Sequence, residues 1–193
     1  MSLFSESKLK GFRNSTRYYA VNIEASLREF KSESKSSKTT VFLSHKHDEL
    51  ELLDGAVSFL KKEGVNVYVD WMDDGMPKYT SGVTALRIKE KIKENSKFIL
   101  LASEGAISSK WCNWELGLGD AERYKDDIAI LPVSGDYSSF SGSEYLQIYP
   151  YIEYQNGNAK FTDGTSISEG YYVRNPAKNG SSTIVKLQDW LNR

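Results

Sequence analysis

The sequence predicts an α/β domain over residues 39–134, a central parallel sheet with helices on both faces. Three observations predict it. Four short apolar runs recur at residues 39–44, 65–70, 97–103 and 128–133. They are continuous rather than alternating, the pattern of strands buried on both faces. Between them lie stretches with apolar residues at helical spacing, and strands alternating with helices imply βαβ units in one sheet.

The first strand is the β-branched and apolar run Thr39-Thr40-Val41-Phe42-Leu43-Ser44. Leu50, Leu53, Val57 and Leu60 then recur at helical spacing, and Gly64 stands where a C-terminal cap belongs. Residues 65–70 form the second strand. Residues 71–82 hold Asp73, Asp74, Gly75, Pro77 and Gly82, too polar and glycine-punctuated for a regular element, and so predict a loop. Residues 83–94 predict a charged amphipathic helix, 97–103 the third strand, 108–124 a loop entering a helix, and 128–133 the fourth strand. From 134 to 179 Tyr, Gly, Ser and Asn dominate, which predicts an irregular or hairpin-like insertion. Residues 182–191 predict a closing helix, with Ile184, Leu187, Trp190 and Leu191 on one side. At the other end, residues 18–30 carry a weak helical pattern and 31–38 a serine-rich polar linker. The expected division is therefore an N-terminal helix and linker over 1–38 and a domain over 39–193, irregular from about 135.

The totals narrow the function classes. The 193 residues are 39% hydrophobic and 12% aromatic, enough for a packed core. A formal net charge of −1 argues against partners chosen by charge, so neither nucleic acid nor a membrane surface is expected. The one cysteine, Cys112, allows no intrachain disulfide and fits a reducing compartment, and the cytoplasm is the expected location. No apolar run approaches the roughly 18–20 residues that span a bilayer. Two histidines and one cysteine make a dedicated zinc site improbable, and no metal is expected.

In open parallel sheets the ligand crevice lies beyond the carboxyl ends of the strands. That rule selects Ser44 to Asp48, Asp70 to Tyr79, Ser103 to Glu115 and the residues after Val133. Glu115 follows Trp111 by four positions, so on a helix starting near Ser109 a carboxylate and an indole share a face at the crevice mouth. Asp70 ends a strand and precedes Trp71, Asp73 and Asp74, a cluster that could hold magnesium or accept a phosphoryl group. A phosphoryl-accepting receiver domain would want its aspartate after the third strand, where Ser103-Glu104 stands instead. His45, Lys46 and His47 follow the first strand, and a histidine beside a lysine could receive a phosphate. A Ser44, His47 and Asp70 triad lacks the nucleophile-elbow glycines. There is no G-x-G-x-x-G and no P-loop lysine motif. Cys112 beside Trp111 reads as packing.

These residues, in this order, resemble the TIR (Toll/interleukin-1 receptor) domain family. Val41-Phe42-Leu43-Ser44-His45 looks like its first strand and residues 64–70 like its second. Residues 71–82 fall where its mobile loop lies. Ser109-Lys110-Trp111-Cys112-Asn113-Trp114-Glu115-Leu116 is similar to its W-C-x-x-E-L signature, and Pro132-Val133 to the proline of its fourth strand. The resemblance implies a flavodoxin-like three-layer sandwich and, as in enzymatic members, cleavage of the nicotinamide–ribose bond of NAD+. The products would be nicotinamide with ADP-ribose or a cyclic isomer, as in bacterial antiphage defence of the Thoeris type, where a separate effector senses the product. NAD+ is then substrate, with no cofactor. The family's catalytic glutamate falls on Glu115. Ser44, His45, Lys46, Asp70, Trp71, Trp111 and Trp114 are the expected substrate contacts, Lys46 toward a phosphate and a tryptophan as an aromatic wall. Homotypic self-association is implied, a neighbour's loop completing the site. The alternatives on the same fold are a non-catalytic interaction module and another nucleoside-bond enzyme such as a deoxyribosyltransferase. The sequence departs from the family in carrying Gly75-Met76-Pro77-Lys78 for an arginine–proline–glycine run. It also has His45 for a Phe or Tyr, and Ala85 and Lys89 where some bacterial enzymes have arginine and aspartate.

Overall fold

The computed structural model describes residues 2–13, 23–34, 38–70, 81–122, 126–178 and 181–193. In chain order the elements are β1 (Phe4–Ser5), α1 (Glu6–Lys10), α2 (Ile23–Ser34), β2 (Thr40–Ser44), α3 (Leu50–Lys62), β3 (Asn66–Tyr68), α4 (Gly82–Glu94), β4 (Lys97–Ala102), α5 (Glu104–Ser108), α6 (Lys110–Glu122), β5 (Ile128–Ser134), α7 (Tyr145–Ile148), β6 (Tyr151–Gln155), β7 (Gly170–Lys178), β8 (Ser181–Lys186) and α8 (Leu187–Leu191).

The strands join in the order β3-β2-β4-β5-β6-β7-β8, with β1 added alongside β5. From β3 to β6 every pairing is parallel. The predicted α/β class with a central parallel sheet is therefore the observed one. The chain runs from β2 outward to β3, then crosses back to β4. That reversal makes the gap between the ends of β2 and β4 a topological switch point.

The central strands β2, β4 and β5 are largely apolar because successive side chains enter different cores. Val41, Leu43, Ile99, Leu101, Ala129 and Leu131 pack under α1, α3 and α8. Phe42, Phe98, Leu100, Ile128 and Ile130 pack under α4 and α6. Lys97 opens β4 with its side chain 1% exposed, its ammonium bonded to Asp127 and lying 4.8 Å from the Trp190 ring centre.

Three segments differ from the sequence reading. Residues 2–13, for which no element is expected, form β1 and α1 and join the domain: Phe4 pairs in register with Val133, and Phe4 and Leu9 are fully buried among the residues of α3. Lys31 to Ser34 are the last turn of α2 rather than linker. The helix lies over the edge of β3, where Phe30 meets Tyr68 edge-on at 5.4 Å and its carbonyl accepts from Asn66 Nδ2 at 2.9 Å. Its outward face is polar, and that face set the composition. Residues 18–22 and 35–37 of that reading lie outside the described residues. Residues 182–186 belong to β8, not to the closing helix, which is α8 alone. The run Thr183-Ile184-Val185 is β-branched and pairs antiparallel with β7, which itself pairs with β6. Of the expected irregular or hairpin-like insertion, much is hairpin-like, an antiparallel extension of the sheet.

Candidate active site

Ser44 is the last residue of β2, and Glu115 lies one turn into α6 on the face that carries Cys112, Leu116 and Gly119 into the core. The Ser44 hydroxyl donates to Glu115 Oε2 at 2.5 Å. Two further features bring α6 that close. A side chain at Gly119 would put its Cβ 2.9 Å from the Phe98 ring, so only glycine lets the helix settle onto the sheet there. Cys112 Sγ donates to the His45 carbonyl at 3.3 Å, fastening the helix to the residue after β2. The start of α6 is held by Ser109 Oγ, which accepts from Cys112 N at 3.3 Å, as a capping hydroxyl does. Asn113 Nδ2 donates to the Ile107 and Ser109 carbonyls at 2.8 Å each, and Tyr145 donates to its Oδ1.

Glu115 is 2% exposed. Burial first, then the charge of Asp70, pushes its carboxyl up to about 8, against smaller opposing effects of the Ser44 hydrogen bond, His47 and Trp111. At neutral pH it therefore holds its proton most of the time. Cys112 is also buried, its thiol pushed up to about 11 mainly by desolvation, which makes it a packing and anchoring group.

The other expected contacts distribute unevenly around this carboxyl. His45 is buried, and its Nδ1 lies 3.2 Å from the Leu43 carbonyl. A carbonyl only accepts, so Nδ1 carries the proton, and burial lowers the ring's pKa and keeps it neutral. Asp70, just past β3, is buried and lies with Oδ2 2.9 Å from His47 Nε2. Lys46 turns to Asp48, Nζ to Oδ1 at 2.9 Å. Trp111 and Trp114 are half-buried and face each other, ring centres 4.7 Å apart and planes at 30°. Trp71 lies outside the described residues.

Two groups were not singled out as substrate contacts in the sequence. His47, whose side chain is 61% exposed, joins the cluster through Asp70, and that hydrogen bond raises its pKa. Glu49 accepts from Ser103 Oγ, bridging the ends of β2 and β4 at the switch point, and burial raises its carboxyl pKa. The strand-end rule selects the stretches that hold His47 and Ser103, but nothing in the sequence pairs Glu49 with Ser103.

The donor atoms of His45, His47 and Asp70 lie within 4.8 Å of one another. His47 and Asp70 are joined by a hydrogen bond of 2.9 Å and form a dyad beside the buried His45 imidazole, a set whose donor atoms could also hold a metal ion. A cavity of about 610 Å³ beside α7 and β7 contains none of these residues, and the Arg174 guanidinium on its wall is bound to Glu153. No helix among the described residues is long and apolar enough to cross a membrane.

The family model described as TIR domain matches residues 41–166. The chain is also similar to a Bacillus cereus (strain MSX-D12) protein named "Probable 3' cyclic ADP-D-ribose synthase ThsB'". The two are 29% identical over 210 aligned positions that cover 100% of both chains.

Proposed function

The chain belongs to the TIR domain family, and from that premise we propose that it cleaves the nicotinamide–ribose bond of NAD+ and releases the ADP-ribose part as a cyclic isomer or in linear form. The observation that carries this reading is the Glu115 carboxyl, desolvated at the carboxyl end of β2 and pushed up to about 8. Burying an ionisable group costs stability, and groups so perturbed concentrate where chemistry is done. The printed name of the similar Bacillus cereus protein, a cyclic ADP-ribose synthase, supports the same reaction class.

Nicotinamide leaves as a neutral molecule, so its departure needs no general acid. The barrier lies in positive charge developing on the ribose. A fixed carboxylate beside the sugar stabilises that charge and accepts a ribose hydroxyl proton in a hydrogen bond, as carboxylates do in glycoside cleavage. The nicotinamide ring of NAD+ is itself cationic, so its arrival favours the ionised form of Glu115. Glu115 is 2% exposed and bonded to Ser44, so the sugar reaches it only when the side chains over it give way. Trp111 offers an aromatic face beside the carboxyl. Lys46, on the same loop as His45 and His47, offers a cation for a phosphate on exchange of its Asp48 partner.

The reading includes homotypic self-association and a separate effector that senses the product, a signal in antiphage defence. Activity rising more steeply than first order in protein concentration tests the first of these. The reaction itself is tested by incubating the chain with NAD+ and resolving products by mass spectrometry. Nicotinamide with ADP-ribose or its cyclic isomer is the expected outcome. No nicotinamide at high protein concentration would leave the interaction module as the reading.

A further inference from the structure

His47 and Asp70 reach the Glu115 carboxyl only through their charges, and between themselves they are arranged for proton transfer. We propose that His47, oriented by Asp70, is the general base that takes the proton from a sugar hydroxyl as that hydroxyl closes the ring of a cyclic ADP-ribose. This rests on the NAD+-cleaving reading above.

Asp70 is buried and lies 2.9 Å from His47 Nε2. An ionised carboxylate only accepts, so Nε2 carries the proton and the lone pair sits on Nδ1. Nδ1 has no hydrogen-bond partner among the described residues, and the side chain is 61% exposed, so a substrate hydroxyl can reach it. The arrangement is that of a base held in one tautomer by a buried acid. The groups facing it are Asp70 past β3, His45 and Lys46 on its own loop, and Glu115 on α6. His45 is 5.2 Å away between ring centres, but its Nδ1–H is turned to the Leu43 carbonyl. Asp70 favours the imidazolium that would form, as does Glu115 once ionised, and Lys46 opposes it.

Ring closure needs such a group if the nucleophile carries a proton. The hydroxyl oxygen of a second ribose in the same molecule forms a C–O bond to the anomeric carbon while the C–N bond to nicotinamide breaks. The C–N electron pair leaves with nicotinamide, and the hydroxyl proton passes to His47 Nδ1. The imidazolium then returns that proton to water. A ring nitrogen of adenine attacks with a lone pair and needs no base for that bond to form. The dyad therefore points to an oxygen-linked cyclic product. Asp70 acts through His47 and is a positioning residue.

The test is the ratio of cyclic to linear ADP-ribose formed per nicotinamide released, for the full chain and for His47→Gln and Asp70→Asn, between pH 6 and 9. General bases contribute roughly 10²- to 10⁴-fold. His47→Gln is expected to lower the ratio at least tenfold, while nicotinamide release is slowed far less. Asp70→Asn is expected to move the pH midpoint of the ratio downward, because the imidazolium loses its carboxylate. Imidazole added to His47→Gly is expected to raise the ratio again. An unchanged ratio in His47→Gln, or only linear product from the unaltered chain, would overturn the assignment while leaving NAD+ cleavage intact. Absence of nicotinamide from the unaltered chain would instead remove the reading on which it rests.

Discussion

Replacing Glu115 by glutamine should make the protein more stable, and by an amount that grows with pH. In the unfolded chain this carboxyl titrates near its ordinary 4.5, and in the folded chain it is pushed up to about 8. Between those values the folded state holds a proton that the unfolded state has lost. Stability therefore falls as pH rises through this window, by about 1.4 kcal/mol per pH unit. At pH 7 that is on the order of 3 kcal/mol, and above pH 8 it levels off near 5 kcal/mol. Glutamine removes the titration, keeps the volume and still offers an oxygen to the Ser44 hydroxyl. Urea melts of both proteins at pH 5, 6, 7, 8 and 9 would measure the difference, most other titrating groups cancelling. Glu115→Gln should match the parent at pH 5 and exceed it increasingly up to pH 8. A difference that does not change with pH, or a variant less stable throughout, would refute the argument that Glu115 is buried against its own ionisation.

The same carboxyl sets the rate profile. kcat/KM for nicotinamide release should climb roughly tenfold per unit below a midpoint near pH 8, and kcat should show a lower midpoint because the bound cationic ring favours the carboxylate; a flat profile from pH 6 to 9 would contradict this. Arg174→Met should cost about 3–5 kcal/mol, since it strands the fully buried Glu153, which Arg174 binds through two hydrogen bonds of 2.8 Å. Adding Glu153→Gln should restore most of that loss, and a single-variant cost under about 1 kcal/mol in chemical denaturation would be the wrong sign of evidence. Gly55→Ala would place a Cβ 2.3 Å from the Leu9 carbonyl oxygen, so α1 must move; a loss of about 1–3 kcal/mol with faster proteolysis of the N-terminus is expected, and an unchanged melt would show that the close approach is not required.

The parallel half of the sheet was legible because buried strands are apolar on both faces and the helices between them are amphipathic. Residues 97–103 and 128–133 match β4 and β5 almost to the residue. The antiparallel half was not. β7 runs Tyr171-Tyr172-Val173 into Arg174-Asn175-Pro176, and β8 opens on Ser181-Ser182-Thr183, so neither keeps a strand period and both read as irregular or hairpin-like chain until a partner strand exists. The N-terminal strand is two residues long, and its identity lies in the fit of Phe4 against Phe59 and Tyr171, ring centres 5.0 and 5.4 Å away, which no local signal encodes. At the site, the Trp111–Glu115 spacing and the strand-end position of Ser44 were readable from periodicity. The Ser44–Glu115 bond was not, because it joins residues far apart in sequence whose meeting depends on strand order; the sequence draws His47 and Asp70 together only within a triad whose serine, Ser44, bonds Glu115 instead.

Nicotinamide release from NAD+ by the unaltered chain and by Glu115→Gln, at matched concentration and with both shown folded by thermal melt, tests the central claim most directly. A charge-stabilising group of this kind is worth about 10²- to 10³-fold or more in rate. The unaltered chain should release nicotinamide steadily, and Glu115→Gln should fall at least to that extent. Release by the variant within a few-fold of the parent would contradict the account.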